Sequence, residues 1–146
     1  MKTIRNALIC YLSYSGNTQE VAELIQKQLE ENLIEATMYD IGYSPIPEIE
    51  SYDSVFIGTF TWDEGALPDE MQDFIDDLGD ISTKNVYCFG SGETQFGGDD
   101  LFCRAADLIA NKYNSPYRVL KIEQSPRGSQ EIKVIEWVNE IIKTFK

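Results

Sequence analysis

Short, uninterrupted apolar runs recur along this chain, and longer segments of helical periodicity separate them. The clearest runs are Ala7 to Leu12, Val55 to Gly58 and Val86 to Phe89. Continuous apolar runs of this length are typical of strands that are buried on both faces, and strands that alternate with helices form parallel sheets. The pattern therefore predicts an α/β fold that is built around a central parallel sheet.

Two further strand segments, Ile34 to Tyr39 and Arg118 to Ile122, mix polar with apolar residues. Such strands are covered on only part of their surface, which places them at the edges of the sheet. With the second and fifth strands at the edges, the five-stranded sheet fits the doubly wound order 2-1-3-4-5. Right-handed crossovers then place helices on both faces of the sheet.

Four segments of the chain carry the apolar spacing of amphipathic helices. The second should begin around Pro68, which suits a first helical turn, and the third should run from near Asp99 to about Tyr113. The fourth begins near Ser129, and we expect Trp137 within it to pack against the core. The expected buried faces are Thr18, Val21, Ala22, Ile25 and Leu29 in the first helix, Met71, Phe74, Ile75 and Leu78 in the second, and Ile135, Val138, Ile142 and Phe145 in the fourth.

Length and composition favour one soluble domain. A chain of 146 residues can bury its own core, and no linker or repeat interrupts it, so we expect residues 1–146 to form a single domain. The polar segment Met1 to Asn6 precedes an apolar run that is too short for a signal sequence or a membrane span, and this predicts a cytoplasmic protein.

The residue types also exclude several kinds of chemistry. The chain has no histidine, which excludes histidine-based acid–base catalysis. Cys10, Cys88 and Cys103 lie far apart in the sequence without the spacing of a metal site or a redox pair. We expect no disulfide and no metal, and the apolar surroundings of Cys10 and Cys88 predict small buried side chains.

The charge of the chain is strongly negative and unevenly distributed. The formal net charge is −13, and residues 28–83 contain fifteen of the acidic residues but no lysine or arginine. An acidic surface disfavours nucleic acids and anionic membranes and suits a basic protein partner. A solvated face that keeps the protein soluble would explain the same charges.

The segment after the first strand has the composition of an anion site. It combines hydroxyl side chains, an amide and a glycine directly before the first helix, in the order Ser13, Tyr14, Ser15, Gly16, Asn17 and Thr18. Backbone N–H groups of such a turn and helix N-terminus bind phosphate. The loop has no lysine, which argues against a nucleotide triphosphatase and favours a monophosphate that neutral donors hold. An ordinary serine or asparagine helix cap would explain the same residues.

The residues from Leu8 to Ala22 resemble the signature of the flavodoxin family. Two later loops agree with it, namely Gly58-Thr59-Phe60-Thr61-Trp62-Asp63-Glu64-Gly65 after the third strand, and Gly90-Ser91-Gly92-Glu93-Thr94-Gln95-Phe96-Gly97 after the fourth, which Phe102-Cys103-Arg104-Ala105 follows. The resemblance covers the whole chain. No insertion splits the fifth strand, so the chain resembles the short-chain group.

The resemblance implies one non-covalently bound FMN, with Trp62 and Phe96 covering the two faces of the flavin ring. It assigns cofactor binding to Ser13, Tyr14, Ser15, Gly16, Asn17 and Thr18 in the first loop, Thr59, Phe60, Thr61, Trp62, Asp63 and Gly65 in the second, and Ser91, Gly92, Glu93, Phe96 and Gly97 in the third. Three positions depart from the family pattern. Phe96 replaces the usual tyrosine, Glu93 replaces an aspartate, and Asp63 stands where many members have glycine.

The resemblance also implies a function. A flavodoxin is a low-potential one-electron carrier without substrate turnover of its own, and we expect it to act as a monomer. Its expected donor is a basic flavodoxin or ferredoxin NADP reductase, and its acceptors are redox enzymes such as a ribonucleotide reductase activator. We expect neither nucleic acid nor membrane as a partner.

Two other interpretations compete with a carrier. A phosphorylation-dependent receiver domain has the same strand order, but it needs paired acids after strand one, an aspartate ending strand three and a lysine ending strand five. Those places hold Cys10 to Leu12, Thr59, and Glu123 to Ser125. Among flavin proteins, a flavodoxin-like activator of ribonucleotide reductase and a quinone reductase stay open, and partner assays would separate them from a carrier.

Overall fold

The computed structural model describes residues 5–13, 16–42, 45–60, 67–79, 81, 85–92, 104–123 and 126–144. Strands and helices alternate along these residues. In chain order the elements are β1 (Arg5–Tyr11), α1 (Asn17–Glu31), β2 (Ile34–Asp40), a 3-10 turn (Ile49–Ser51), β3 (Ser54–Phe60), α2 (Asp69–Leu78), β4 (Asn85–Gly92), α3 (Arg104–Tyr113), β5 (Leu120–Glu123) and α4 (Ser129–Ile142).

The five strands form one parallel sheet in the order β2-β1-β3-β4-β5, which confirms the predicted topology. The two strands that mix polar and apolar residues lie at the edges, as their composition predicts. β5 begins at Leu120, two residues later than expected. The carbonyl of Arg118 accepts a hydrogen bond from the Trp137 indole, 2.8 Å away, and Arg118 lies outside the strand pairing with β4.

The sheet separates two apolar cores, because successive strand residues point to opposite faces. On one face, Ile9 and Phe56 pack with α1 and α4, and the ring of Trp137 meets Phe56 edge-on at 5.9 Å. On the other face, Leu8 and Ile57 pack with α2 and α3. Trp137 is 1% exposed, which confirms that it is a packing residue.

The predicted helix faces agree with the structure in α1 and α2 and differ in part in α4. The predicted face of α1 is fully buried, and in α2 Leu78 is only partly buried. The third helix ends at Tyr113 as expected, while its predicted start near Asp99 lies outside the described residues.

The predicted face of α4 is confirmed at Val138 and wrong by one residue at Ile135 and Ile142, which are only partly buried. The buried residues of the helix are Val134, Trp137, Val138 and Ile141, and Phe145 lies outside the described residues. The indole of Trp137 enters the core and donates its N–H to a carbonyl beside β5, so the largest side chain sets the rotation of the helix.

Cys10 and Cys88 are buried and free, as predicted, and Cys103 lies outside the described residues. Burial raises the pKa of both thiols well above the ordinary value. Across the described ranges there is no group of three or more potential ligands that could hold a metal ion, and no helix long and apolar enough to span a bilayer.

Candidate functional site

The carboxyl ends of β1, β3 and β4 meet at one edge of the sheet, where doubly wound folds bind ligands. The predicted site residues that the structure describes are Ser13, Gly16, Asn17, Thr18, Thr59, Phe60, Ser91 and Gly92, and all of them lie at this edge. The others lie outside the described residues and stay predictions, namely Tyr14, Ser15, Thr61, Trp62, Asp63, Gly65, Glu93, Phe96 and Gly97.

The first loop turns into α1 through a glycine in a left-handed conformation. Gly16 has a φ of 96° and is the N-cap residue of α1. A Cβ atom at this position would meet no atom within 4 Å, so backbone strain rather than crowding explains why glycine is required. The hydroxyl of Ser13 accepts a hydrogen bond from the Gly16 N–H at 3.0 Å and closes the turn.

The N-cap position of α1 is occupied by Gly16, which has no side chain, so a serine or asparagine does not stand at the cap position itself. The Ser13 hydroxyl bonds to Gly16, and among the described residues no side chain accepts from the first-turn amides of α1 that begin at Asn17. Uncapped first-turn N–H groups at the positive end of a 15-residue helix form a donor set that fits a phosphate group.

A buried pair of hydroxyls joins the first loop to the third. Thr18, in the first turn of α1, and Ser91, near the end of β4, are 1% and 3% exposed. Their Oγ1 and Oγ atoms lie 2.7 Å apart. Ser91 also pairs with Phe60 of β3 and with Ile122 of β5. The hydrogen bond therefore fixes the start of α1 against the centre of the sheet edge.

The end of β3 is shaped by a glycine and a threonine. A Cβ atom at Gly58 would lie 2.1 Å from Cε2 of Phe89, so the ring of Phe89 occupies the space above this glycine. Thr59 is fully buried, and its hydroxyl donates to the carbonyl of Phe60 at 2.9 Å. Phe60 itself is partly exposed where the second loop begins. The end of β3 is therefore tightly packed at Gly58 and Thr59, and exposure begins only at Phe60, the last residue of the strand.

Asp40, which is not among the predicted site residues, ends β2 at the same edge of the sheet. It pairs in register with Tyr11, and burial raises the pKa of both side chains. The charges of Asp40 and Glu23 raise the pKa of Tyr11 further. In the sequence, Asp40 could have been recognised as a candidate because it is a polar residue at the end of an edge strand.

Comparison with known proteins agrees with this geometry. The flavodoxin family model matches residues 9–115. Probable flavodoxin 2 of Bacillus subtilis (strain 168) is 33% identical over 144 residues, which covers 93% of each chain. The crystal structure of oxidised flavodoxin 2 from Bacillus cereus superposes with a TM-score of 0.85 at 32% identity and covers 96% of this chain and 99% of that one. A short-chain flavodoxin associated with a non-canonical PDU bacterial microcompartment has a TM-score of 0.88 at 25% identity, over 98% of this chain and all of that one.

These relatives support neither a receiver domain nor an activator of ribonucleotide reductase. The length of 146 residues fits the short-chain group. The uncapped helix start, the hydroxyl pair and the strand order all fit a phosphate-bearing flavin at the sheet edge. The chain belongs to the flavodoxin family and is an FMN-binding electron-transfer protein rather than an enzyme.

Proposed function

We propose that this chain, as one domain over residues 1–146, binds FMN through its three loops and carries single electrons at low potential between larger redox proteins. The observation that carries the proposal is the N-terminus of α1, where no described side chain caps the first-turn amides behind the left-handed Gly16. A phosphate there would accept hydrogen bonds from these amides. The partly buried hydroxyl of Ser13 holds the turn in place.

The remaining loops would hold the flavin ring, which supplies one-electron chemistry when bound. In this proposal Trp62 and Phe96 cover the two ring faces. Polar groups of the second and third loops reach the ring edge, from Thr59, Phe60, Thr61, Asp63 and Gly65 and from Ser91, Gly92, Glu93 and Gly97. The second loop lies within the stretch of sequence that has no lysine or arginine, and the carboxylates of this stretch disfavour added negative charge and so support a low potential.

The same charges support a basic partner. Helix α2 carries Asp69, Glu70, Asp73, Asp76 and Asp77, all exposed, directly after the second loop. We propose a basic flavodoxin or ferredoxin NADP reductase as the donor, acceptor enzymes such as a ribonucleotide reductase activator, and action as a monomer in the cytoplasm. A one-sign field near the flavin orients such a partner before contact.

A binding experiment tests the phosphate site. Protein stripped of flavin is titrated with FMN, FAD and riboflavin, and the flavin fluorescence is followed. FMN should bind at least about tenfold more tightly than riboflavin, because only FMN offers a phosphate to the α1 amides. FAD should also bind less tightly than FMN. Equal affinity for riboflavin and FMN would overturn the assignment of this loop.

Two glycines give a matched pair for the same titration. Gly16 and Gly79 both have positive φ values, 96° and 68°, and both have open space where a Cβ would lie. Alanine at Gly16, where ψ is −12°, should lower the free energy of unfolding by about 1 kcal/mol through backbone strain. Alanine at Gly79, where ψ is −146°, should cost at least as much, because non-glycine residues rarely adopt this conformation. Only Gly16→Ala should weaken FMN binding, because Gly79 lies at the C-terminal end of α2. An equal effect of both variants on FMN affinity would contradict the proposal.

A further inference from the structure

A groove of about 300 Å³ lies between the end of β2 and helix α2. Its floor is apolar and includes the aromatic rings of Tyr39 and Phe74, which are 8% and 4% exposed and lie 5.8 Å apart. Ile41 and Ile46 are further apolar residues among the described lining. The cofactor-binding residues of the proposed function are not among the described lining residues.

Three carboxylates border this groove on one side. Glu70, Asp73 and Asp77 are spaced three and four residues apart, so they lie along one face of α2 above the apolar floor. The Glu70 carboxylate reaches toward β2, where its Oε2 lies 3.6 Å from the position that a Cβ atom would take at Gly42. No lysine or arginine occurs between residues 28 and 83, so neither element that forms the groove supplies a cation.

The combination selects one kind of occupant. Among the described residues, no group of three acidic or other ligating side chains stands close enough to chelate a metal ion, which disfavours a divalent cation. A purely apolar side chain would leave the three carboxylates without a counter-charge. Lysine and arginine combine an alkyl stem, which covers apolar surface, with a cationic head that stays among polar groups.

We propose that this groove receives a lysine or arginine side chain from a basic partner protein, with its stem on the Tyr39 and Phe74 floor and its head among Glu70, Asp73 and Asp77. The inference rests on the proposed function in one respect, that the redox partner is basic. It goes further by separating two roles on α2. Asp69 and Asp76 lie outside the groove and contribute to the long-range field only, whereas the groove carboxylates also make contact.

The probe is the peptide acetyl-Lys-Arg-Lys-amide, titrated into the FMN-loaded, isotope-labelled protein at low ionic strength. Binding inside the groove should shift the backbone amide resonances of Tyr39, Ile41, Gly42 and Phe74 more than those of Asp69 and Asp76. Shifts that are equal over all acidic residues of the chain would show a diffuse charge effect and overturn the inference.

Two double variants on the same helix isolate the contact from the field. Glu70→Gln with Asp77→Asn removes two charges at the groove, and Asp69→Asn with Asp76→Asn removes two charges beside it. Both pairs change the net charge by the same amount, but only the first removes groups that line the groove. The first pair should therefore weaken peptide binding by about fivefold or more, and the second by less than about twofold. Equal weakening by both pairs would overturn the inference.

The failure of this inference is distinguishable from failure of the proposed function. Visible absorbance and the FMN titration report on the cofactor, and neither depends on the groove. If the protein binds FMN but both double variants bind the peptide equally well, the proposed carrier function stands and the proposed role of the groove is overturned. Helix content by circular dichroism checks that α2 is intact in both variants.

Discussion

Thr18 and Ser91 are 73 positions apart in the sequence, yet their hydroxyls share one buried hydrogen bond of 2.7 Å. One belongs to the first turn of α1 and the other to the end of β4. Because both are buried, neither can exchange its partner for water. The first turn of α1 is therefore coupled to the strand from which the third loop leaves the sheet.

Removing both hydroxyls of this pair should destabilise the protein by less than the sum of the two single removals. Thr18→Val leaves the Ser91 hydroxyl buried without this partner, and we expect the free energy of unfolding to fall by about 1–3 kcal/mol. Ser91→Ala should have a similar effect. The double variant should lose less than the sum, which urea denaturation of the four proteins measures as a double-mutant cycle. Strict additivity would mean that the hydrogen bond contributes nothing.

Gly58 is expected to tolerate no side chain. Its missing Cβ would lie 2.1 Å from the ring of Phe89, which is fully buried and cannot move without disturbing the core. Gly58→Ala should lower the free energy of unfolding by about 3 kcal/mol or more. Adding Phe89→Leu removes the ring atoms that clash, so the double variant should be more stable than Gly58→Ala alone. If it is less stable, the clash is not the cause.

Leu33 is a site where stability can be gained. It joins α1 to β2 with a φ of 65°, a conformation that is costly for leucine, and its side chain is 76% exposed. Leu33→Asn should raise the free energy of unfolding by about 0.5–1 kcal/mol, since asparagine tolerates this conformation. Leu33→Ala is the control, because it removes the exposed apolar surface without relieving the strain. A thermal melt in which both variants behave alike would contradict the argument.

The acidic face of α2 should control the rate at which a basic reductase finds the protein. The variant with Asp69, Asp73 and Asp76 replaced by Asn should lower the second-order rate constant of reduction by about threefold or more at low ionic strength. FMN affinity should stay nearly unchanged. Raising the salt concentration to about 0.5 M should remove the difference from the wild type, because the field is then screened within a few ångströms.

A charge-matched control removes three acids at the other end of the sheet. Glu30, Glu31 and Glu35 are exposed near the start of β2, far along the strand from the carboxyl edge. Their replacement by Gln should leave the rate close to the wild-type value. A rate constant and salt dependence that both triple variants share with the wild type would make the acidic face a solubility feature only.

The strand order could be predicted because the composition of each strand indicates whether it is buried on both faces or only partly covered. The run Val55 to Gly58 is buried on both faces at the centre of the sheet, and the mixed run Ile34 to Tyr39 alternates between buried and exposed residues at its edge. The turn into α1 at Gly16 could also be predicted, since a glycine directly before a helix is a local signal. Local sequence decides both features.

Features that depend on residues far apart in the chain could not be predicted. The face of α4 follows from the fit of Trp137 beside Phe56 and Arg118, which periodicity alone does not contain. The Thr18–Ser91 pair and the groove between β2 and α2 are likewise products of tertiary packing. Their residues are ordinary at the level of sequence, and only the fold brings them together.

The burial of Cys10 and Cys88 has a consequence for the chemical reactivity of their thiols. Peroxides and alkylating agents attack the thiolate, and the raised pKa of both thiols makes that form scarce in the folded protein. Reagents from solution also have almost no access to these two sulfur atoms, which are 0% and 1% exposed. Oxidation or alkylation of Cys10 and Cys88 therefore requires the fold to open first, so the rate at which a thiol reagent modifies them reports how often the core opens.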